Sequence, residues 1–188
     1  RLSIPQIVGV GVRLADDHGT GELSMRRLAD ALGCGTMSLY TYVSSKAELL
    51  ELMVDHVHSE IKRPDEALDW RGQLFGLALQ HWQLFNRHPW ILETNLVRLS
   101  LGPNYLDSAE YTLGALEKLG LAPEDIYQCA RALNDYVHGA ARSALLERQA
   151  SQATGVSSSE FRAAREQFWE RWFDLDRYPA HTRLWTFG

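Results

Sequence analysis

The chain has 188 residues, 19 Lys+Arg against 24 Asp+Glu and 45% hydrophobic residues, the profile of a foldable globular protein of one or two modest domains. That size excludes a large multidomain enzyme, and no apolar run approaches the ~20 residues needed to cross a bilayer, so cytoplasm is the expected location. A net charge of -5 excludes a surface that is basic all over, which means that any nucleic-acid face has to be local.

Apolar residues recur at helical spacing and β-branched alternation is missing, so an all-α chain without a sheet is predicted. Ile4, Ile7, Val8, Gly11, Leu14 and Ala15 share one face of a first helix, which Gly19 and Gly21 should stop. Ser24 is a good N-cap for a short helix carrying Leu28, Ala29 and Leu32, and Gly33 follows it. A third short helix is expected from Thr36 to about Val43. Ser45 and Glu48 have the spacing of a capping box for a longer fourth helix with Leu49, Leu50, Met53, Val57 and Ile61 inside.

Arg63, Pro64 and Asp65 interrupt the pattern, which divides the chain into residues 1–62 and a larger part, 63–188. Trp70, Leu74, Leu77, Ala78, His81 and Phe85 mark a long helix ended by His88 and Pro89, and a shorter one is expected through Leu92, Leu96 and Leu99. Leu106, Ala109, Leu113 and Leu116 form another stripe, closed by Lys118 and Gly120. Pro123, Glu124 and Asp125 open the longest helix, with Ile126, Leu133, Val137, Ala141 and Leu145 as its inner side. Residues 149–159 are small and polar enough for a mobile loop. Ser157 and Glu160 then cap a final long helix bearing Phe161, Ala164, Phe168, Trp172 and Phe173. The tail after Pro179 carries no signal.

Residues 23–50 are the informative stretch. Ala29 four residues before Gly33, and Leu39 six after it, fit a helix-turn-helix: the small residue allows close crossing, the glycine takes the turn, and the leucine plugs the crossing. An ordinary helical corner satisfies the same three positions. Further residues resolve the choice, because the run Leu23 to Ala29, Gly33, Ser38, Leu39, Tyr40, Val43, Ser45, Lys46, Glu48, Leu49 and Leu50 resembles the DNA-binding domain of the TetR family of transcriptional regulators. The likeness covers residues 4 to 60 well. Beyond Asp65 it rests on the all-helical pattern and on Trp70, His88 and Gly139.

The resemblance implies a dimeric, ligand-responsive regulator, by family habit a repressor, that binds palindromic double-stranded operator DNA. It gives Arg26 a base-reading role, where bidentate contact to guanine is the favoured pairing. Thr36, Met37, Ser38, Thr41 and Tyr42 become base-edge candidates; for Thr41 the other reading is solvated surface, and for Met37 and Tyr42 it is packing. Ser24, Tyr40 and Lys46 match phosphate-holding positions, which fix register without reading sequence. The recognition helix has no Arg, Lys, Asn or Gln, so direct readout is expected to be sparse.

The second part is implied to pair two chains and to hold a small molecule. Gly139, Ala140 and Ala144 would let helices approach at a dimer seam, and Phe161, Phe168 and Trp172 would supply the large partners; filling the monomer core is the other use for them. His81, Phe85, Asn95 and Asn134 are the ligand candidates in a domain rich in aromatic and amphipathic groups. Lys62 and Leu77 stand where the tetracycline repressor places drug-binding residues, so an apolar or aromatic effector other than tetracycline is expected, with no cofactor and no metal. His56 with His58, and His81 with His88, lack both an HExxH pattern and a carboxylate set, and there is no phosphate loop or GxSxG turn, so no enzyme is expected. Cys34 and Cys129 form neither a disulfide framework nor a zinc motif. Control by a protein partner, or DNA binding without a ligand, is the alternative.

Overall fold

The computed structural model describes residues 2–94, 102–172, 174 and 176–185, and all of their regular structure is helical. The shorter helix expected through Leu96 and Leu99, the ligand candidate Asn95 and the apolar residue Phe173 lie outside the described residues. Close contacts divide the chain into two units, Arg1–Leu145 and Leu146–Gly188.

In the first unit, α1 (Ile4–Glu22) is capped by Ser3 and buries Ile7, Val8, Gly11, Val12 and Ala15. Gly19, at φ 75° and ψ 168°, leaves the helical path and stops the continuous helix as expected, and one further turn runs on to Glu22. α2 (Met25–Leu32) starts on Ser24, whose Oγ accepts from the Arg27 amide, and stops at Gly33 in the left-handed region, φ 66°. α3 is only Thr36–Tyr40, shorter than its apolar pattern suggests, because Thr41 and Tyr42 already turn. α4 (Lys46–His58) buries Leu49, Met53, Val54 and Val57 against α1.

Gly11 makes that approach possible, since a Cβ there would sit 2.9 Å from Met53 Sδ. The capping box at α4 forms only by half: Ser45 accepts from the Glu48 amide, while the Glu48 carboxylate takes the amide and hydroxyl of Ser44 instead. Those bonds hold its carboxyl below the usual range.

After a non-helical stretch, α5 (Trp70–Arg87) is capped by Asp69 and is followed by a 3₁₀ turn, Pro89–Glu93, that buries Trp90, Ile91 and Leu92. α6 (Pro103–Glu117) packs on both α4 and α5. Its buried side is Ser108, Tyr111, Ala115 and Leu116 rather than the Leu106, Ala109, Leu113 and Leu116 stripe, and Leu106 is exposed. α7 (Pro123–Thr154) contributes Val137 and Ala141 to the core and passes through most of the expected loop. Glutamine, alanine and serine tolerate a helix, and only Gly155, φ 68°, ends it.

The break at residues 62–63 is visible as non-helical backbone, yet both sides belong to one unit. Asp16 on α1 explains part of this: its Oδ1 accepts from His88 Nδ1 and from Trp90 Nε1, each at 2.7 Å. His88 Nε2 lies 3.3 Å from Glu60 Oε1.

The second unit holds α8 (Ser158–Ala163), α9 (Glu166–Trp172) and α10 (Pro179–Trp185). The Ser157–Glu160 capping box is complete. The single long helix expected here is broken at Ala164 and Arg165, and the tail after Pro179 is itself helical. Ser158 donates to Glu147, and the Arg165 guanidinium lies 4.4 Å from the Phe161 ring centre.

Candidate functional site

Two sites stand out in the first unit, one on the surface of α2 and α3 and one between α5, α6 and α7. At the first, Ala29 and Leu39 are fully buried in the same core, so the crossing is closed as the spacing predicts. The amide of Cys34 returns to the Ala29 carbonyl at 3.0 Å, which ties the turn down.

That packing leaves Arg26, Met37, Ser38, Tyr40 and Thr41 exposed, with Met37 at 78%. Arg26 makes no ion pair among the described residues, whereas neighbouring Arg27 is held by Glu22 at 2.7 Å. A free guanidinium beside an exposed short helix is what major-groove recognition needs. Thr36 and Tyr42 are half-buried, and Tyr42 packs on the core. The Thr41 hydroxyl donates to the Ser38 carbonyl at 2.7 Å, which leaves its methyl for apolar contact. Ser24 is engaged as the α2 cap. Lys46 donates to the Thr20 carbonyl at 2.7 Å, so the ammonium is positioned by α1 with its remaining N–H groups uncommitted to that bond.

The second site is a cavity of about 240 Å³ with His81, Tyr105, Ser108, Thr112, Tyr127, Arg131 and Asn134 in its wall. A small extension of about 30 Å³ continues past His81 and Asn134 to Leu77 and Val137. His81 and Asn134 are therefore brought together. Phe85 is not in the wall: it is buried, with its ring centre 6.1 Å from that of His81 and 5.6 Å from that of His138.

Ser108, Thr112 and Tyr127 were not legible as site residues. Their signal was the spacing of polar groups along the inner faces, at 105, 108 and 112 on α6 and at 127, 131 and 134 on α7. Burial, with a smaller contribution from His58, pushes the His81 imidazole down to about 4. Its Nδ1 is buried without a hydrogen-bond partner. His58 is also lowered by burial, although its Nδ1 donates to the Val54 carbonyl at 2.6 Å, and its ring lies 5.2 Å from that of Tyr105. Tyr105 is raised, first by burial and then by Tyr127 and Asp135.

The cavity wall is joined to the helix-turn-helix by Asp55 of α4. Its Oδ1 accepts from the backbone amides of Asn104 and Tyr105 at 2.9 and 3.1 Å, and its Oδ2 accepts from Asn104 Nδ2 at 2.9 Å. A carboxylate at a helix N-terminus satisfies open amides and complements the helix dipole, so α4 carries the cap of α6.

The histidines set an acid limit. His58, His81 and His138 are all lowered by burial, so below their ordinary value the unfolded chain binds more protons than the folded one. Stability is expected to fall as the pH drops from 6.5 toward about 4, with His81 alone accounting for roughly 3 kcal/mol at the acid end. Urea unfolding at pH 7 and pH 5 checks this, and His81→Phe should flatten the slope; an unchanged slope would remove His81 from the effect.

Among the described residues no group of histidine, cysteine and carboxylate side chains is arranged to hold a metal ion, and no helix is long and apolar enough to cross a membrane. Comparison with known proteins agrees with the geometry. Residues 7–53 match the family model for bacterial regulatory proteins of the tetR family, and residues 63–187 match that for the tetracyclin repressor-like C-terminal domain. The chain is 39% identical to the HTH-type transcriptional repressor DrrR1 of Streptomyces coeruleorubidus, over all of this chain and 71% of that protein. An HTH-type transcriptional regulator of Saccharopolyspora erythraea is 32% identical over 88% of this chain and 71% of its own length.

Among solved structures, ActR of Streptomyces coelicolor in complex with actinorhodin aligns with a TM-score of 0.81 and 27% identity, over 97% of this chain and 84% of that one. BioQ with its DNA operator aligns with a TM-score of 0.71 and 25% identity, over 81% and 91%. The chain belongs to the TetR family of bacterial transcriptional regulators.

Proposed function

We propose that the chain is a ligand-responsive repressor that binds palindromic operator DNA as a homodimer and is released by a small apolar or aromatic molecule. Residues 1–62 would form the DNA-binding part, and residues 63–188 the ligand-binding and dimerisation part. The observation that carries the reading is the Asp55 link, because it fastens the wall of a ligand-sized cavity to the helix that supports the helix-turn-helix. Similar proteins whose structures hold operator DNA or actinorhodin support it.

In this reading Arg26 reads a base edge, and Met37, Ser38 and Thr41 face the groove with Thr36 and Tyr42 at its margin. Ser24, Tyr40 and Lys46 hold phosphates. His81 and Asn134 contact the effector, with Phe85 supporting His81 from the core. A ligand that fits one arrangement of α6 better than another would move α4 through Asp55, and with it the spacing of two recognition helices that must match successive major grooves, ~34 Å apart.

The dimer is supported by large apolar side chains left exposed in the single chain. Tyr136 and Leu146 are exposed on α7, as are Phe161, Phe168 and Trp172 on α8 and α9. Gly139 is exposed with open space where a Cβ would stand, and Ala140 and Ala144 are half-buried, which suits close approach of a second copy.

Arg26→Ala is the test of the DNA face. It should cost about 1–3 kcal/mol of discrimination between operator and random duplex while leaving the fold intact. Footprinting with the variant checks it, and an unchanged footprint would remove Arg26 from the reading set.

A further inference from the structure

We infer that the effector is a small aromatic compound that offers a carbonyl or quinone oxygen to His81 and a carboxylate to Arg131. This rests on the ligand-responsive reading above and specifies what its cavity selects.

Size comes first. At about 240 Å³ the cavity lies below the ~300–1,000 Å³ of pockets for drug-sized molecules, which favours a small ring system. Ala109, Leu113 and Ala130 supply apolar wall for it.

Polarity then narrows the choice. His81 is neutral near pH 7 and so carries one ring proton. Its Nδ1 is sealed from solvent without a partner, and a sealed lone pair costs less than a sealed N–H, so the proton belongs on Nε2. Because His81 lines the cavity and Nε2 is neither sealed nor bonded within the described residues, that N–H is offered to whatever fills the space. The Tyr105 and Tyr127 hydroxyls and the Asn134 amide make no hydrogen bond among the described residues and can donate as well. The Thr112 hydroxyl is already spent on the Ser108 carbonyl at 2.9 Å.

A ligand that covers these donors has to be rich in acceptors, since a donor buried without a match is costly. Arg131 adds the second requirement. It is the single charged residue among the described lining residues, and its partner Asp135 is distant, 3.9 Å from Nε, with both side chains largely exposed. Its guanidinium can therefore turn to a ligand carboxylate and bind it by two parallel bonds.

Calorimetric titration of the purified protein with three probes tests the inference: anthraquinone-2-carboxylate, anthracene-2-carboxylate, which lacks the carbonyls, and 2-hydroxymethylanthraquinone, which lacks the acid. The first should bind about five- to tenfold tighter than either of the others. His81→Phe should abolish the preference for carbonyls and keep that for the acid, Arg131→Gln should do the reverse, and His81→Gln should recover part of the carbonyl preference through its amide N–H. Equal affinity for the three probes, no binding of anthraquinone-2-carboxylate at millimolar concentration, or a carbonyl preference that survives His81→Phe would overturn it. Failure of the regulator reading is a separate result, since it would appear as loss of operator discrimination with no probe present.

Discussion

Replacing Asp16 with alanine is expected to remove roughly 2–5 kcal/mol of folding stability, a large share of the ~5–15 kcal/mol typical of a domain. One carboxylate oxygen accepts from both His88 Nδ1 and Trp90 Nε1, and both of those side chains are buried. With the acceptor gone, two donors in the core are left without partners, and each costs about 1–3 kcal/mol. The imidazole would also lose the contact that aims it toward Glu60. Asp16→Asn keeps an acceptor oxygen in place and should cost clearly less. Urea unfolding of the two variants measures the difference, and a loss below ~1 kcal/mol for alanine would mean that the donors find other partners.

The second large effect is expected at Gly102. Its backbone, φ -82°, is open to any residue, so the reason for glycine is space: a Cβ would stand 2.2 Å from Asp55 Cγ and 2.3 Å from Oδ1. That carboxylate cannot step aside freely, because it holds Asn104 and the Tyr105 amide. Gly102→Ala should therefore cost about 2–4 kcal/mol from the forced shift and the lost cap together, and it should weaken the response of DNA binding to a ligand. Asp55→Ala loses the cap without the collision. In the double variant the two losses should be clearly less than additive, and strict additivity would show that the residues do not act on one another.

These residues illustrate what the sequence could and could not disclose. The helix-turn-helix was legible because its determinants are local: Ser24 caps, Gly33 turns left-handed, and Ala29 and Leu39 close the crossing at fixed spacings. The cavity was legible only in part. His81 and Asn134 stood out as amphipathic groups on apolar faces, but Ser108, Thr112 and Tyr127 look like ordinary helix surface until α5, α6 and α7 are assembled.

Local competition caused the smaller misreadings. At α4, Ser44 took the carboxylate that the Ser45–Glu48 pattern assigned to the cap, and the polar run after Leu145 stayed helical because none of its residues breaks a helix before Gly155. The Asp16 and Asp55 contacts join residues 72 and 49 positions apart or more, and no periodicity announces such pairs.

The most direct test of the proposed function is a binding titration of the purified protein on the DNA flanking its own gene, with random duplex as competitor and a series of fused-ring aromatic acids added to the preformed complex. The expected result is retention of the flanking fragment against excess random DNA and its release by at least one acid. Equal retention of flanking and random duplex, or specific complexes that none of the acids dissolves, would contradict the assignment of a ligand-released repressor.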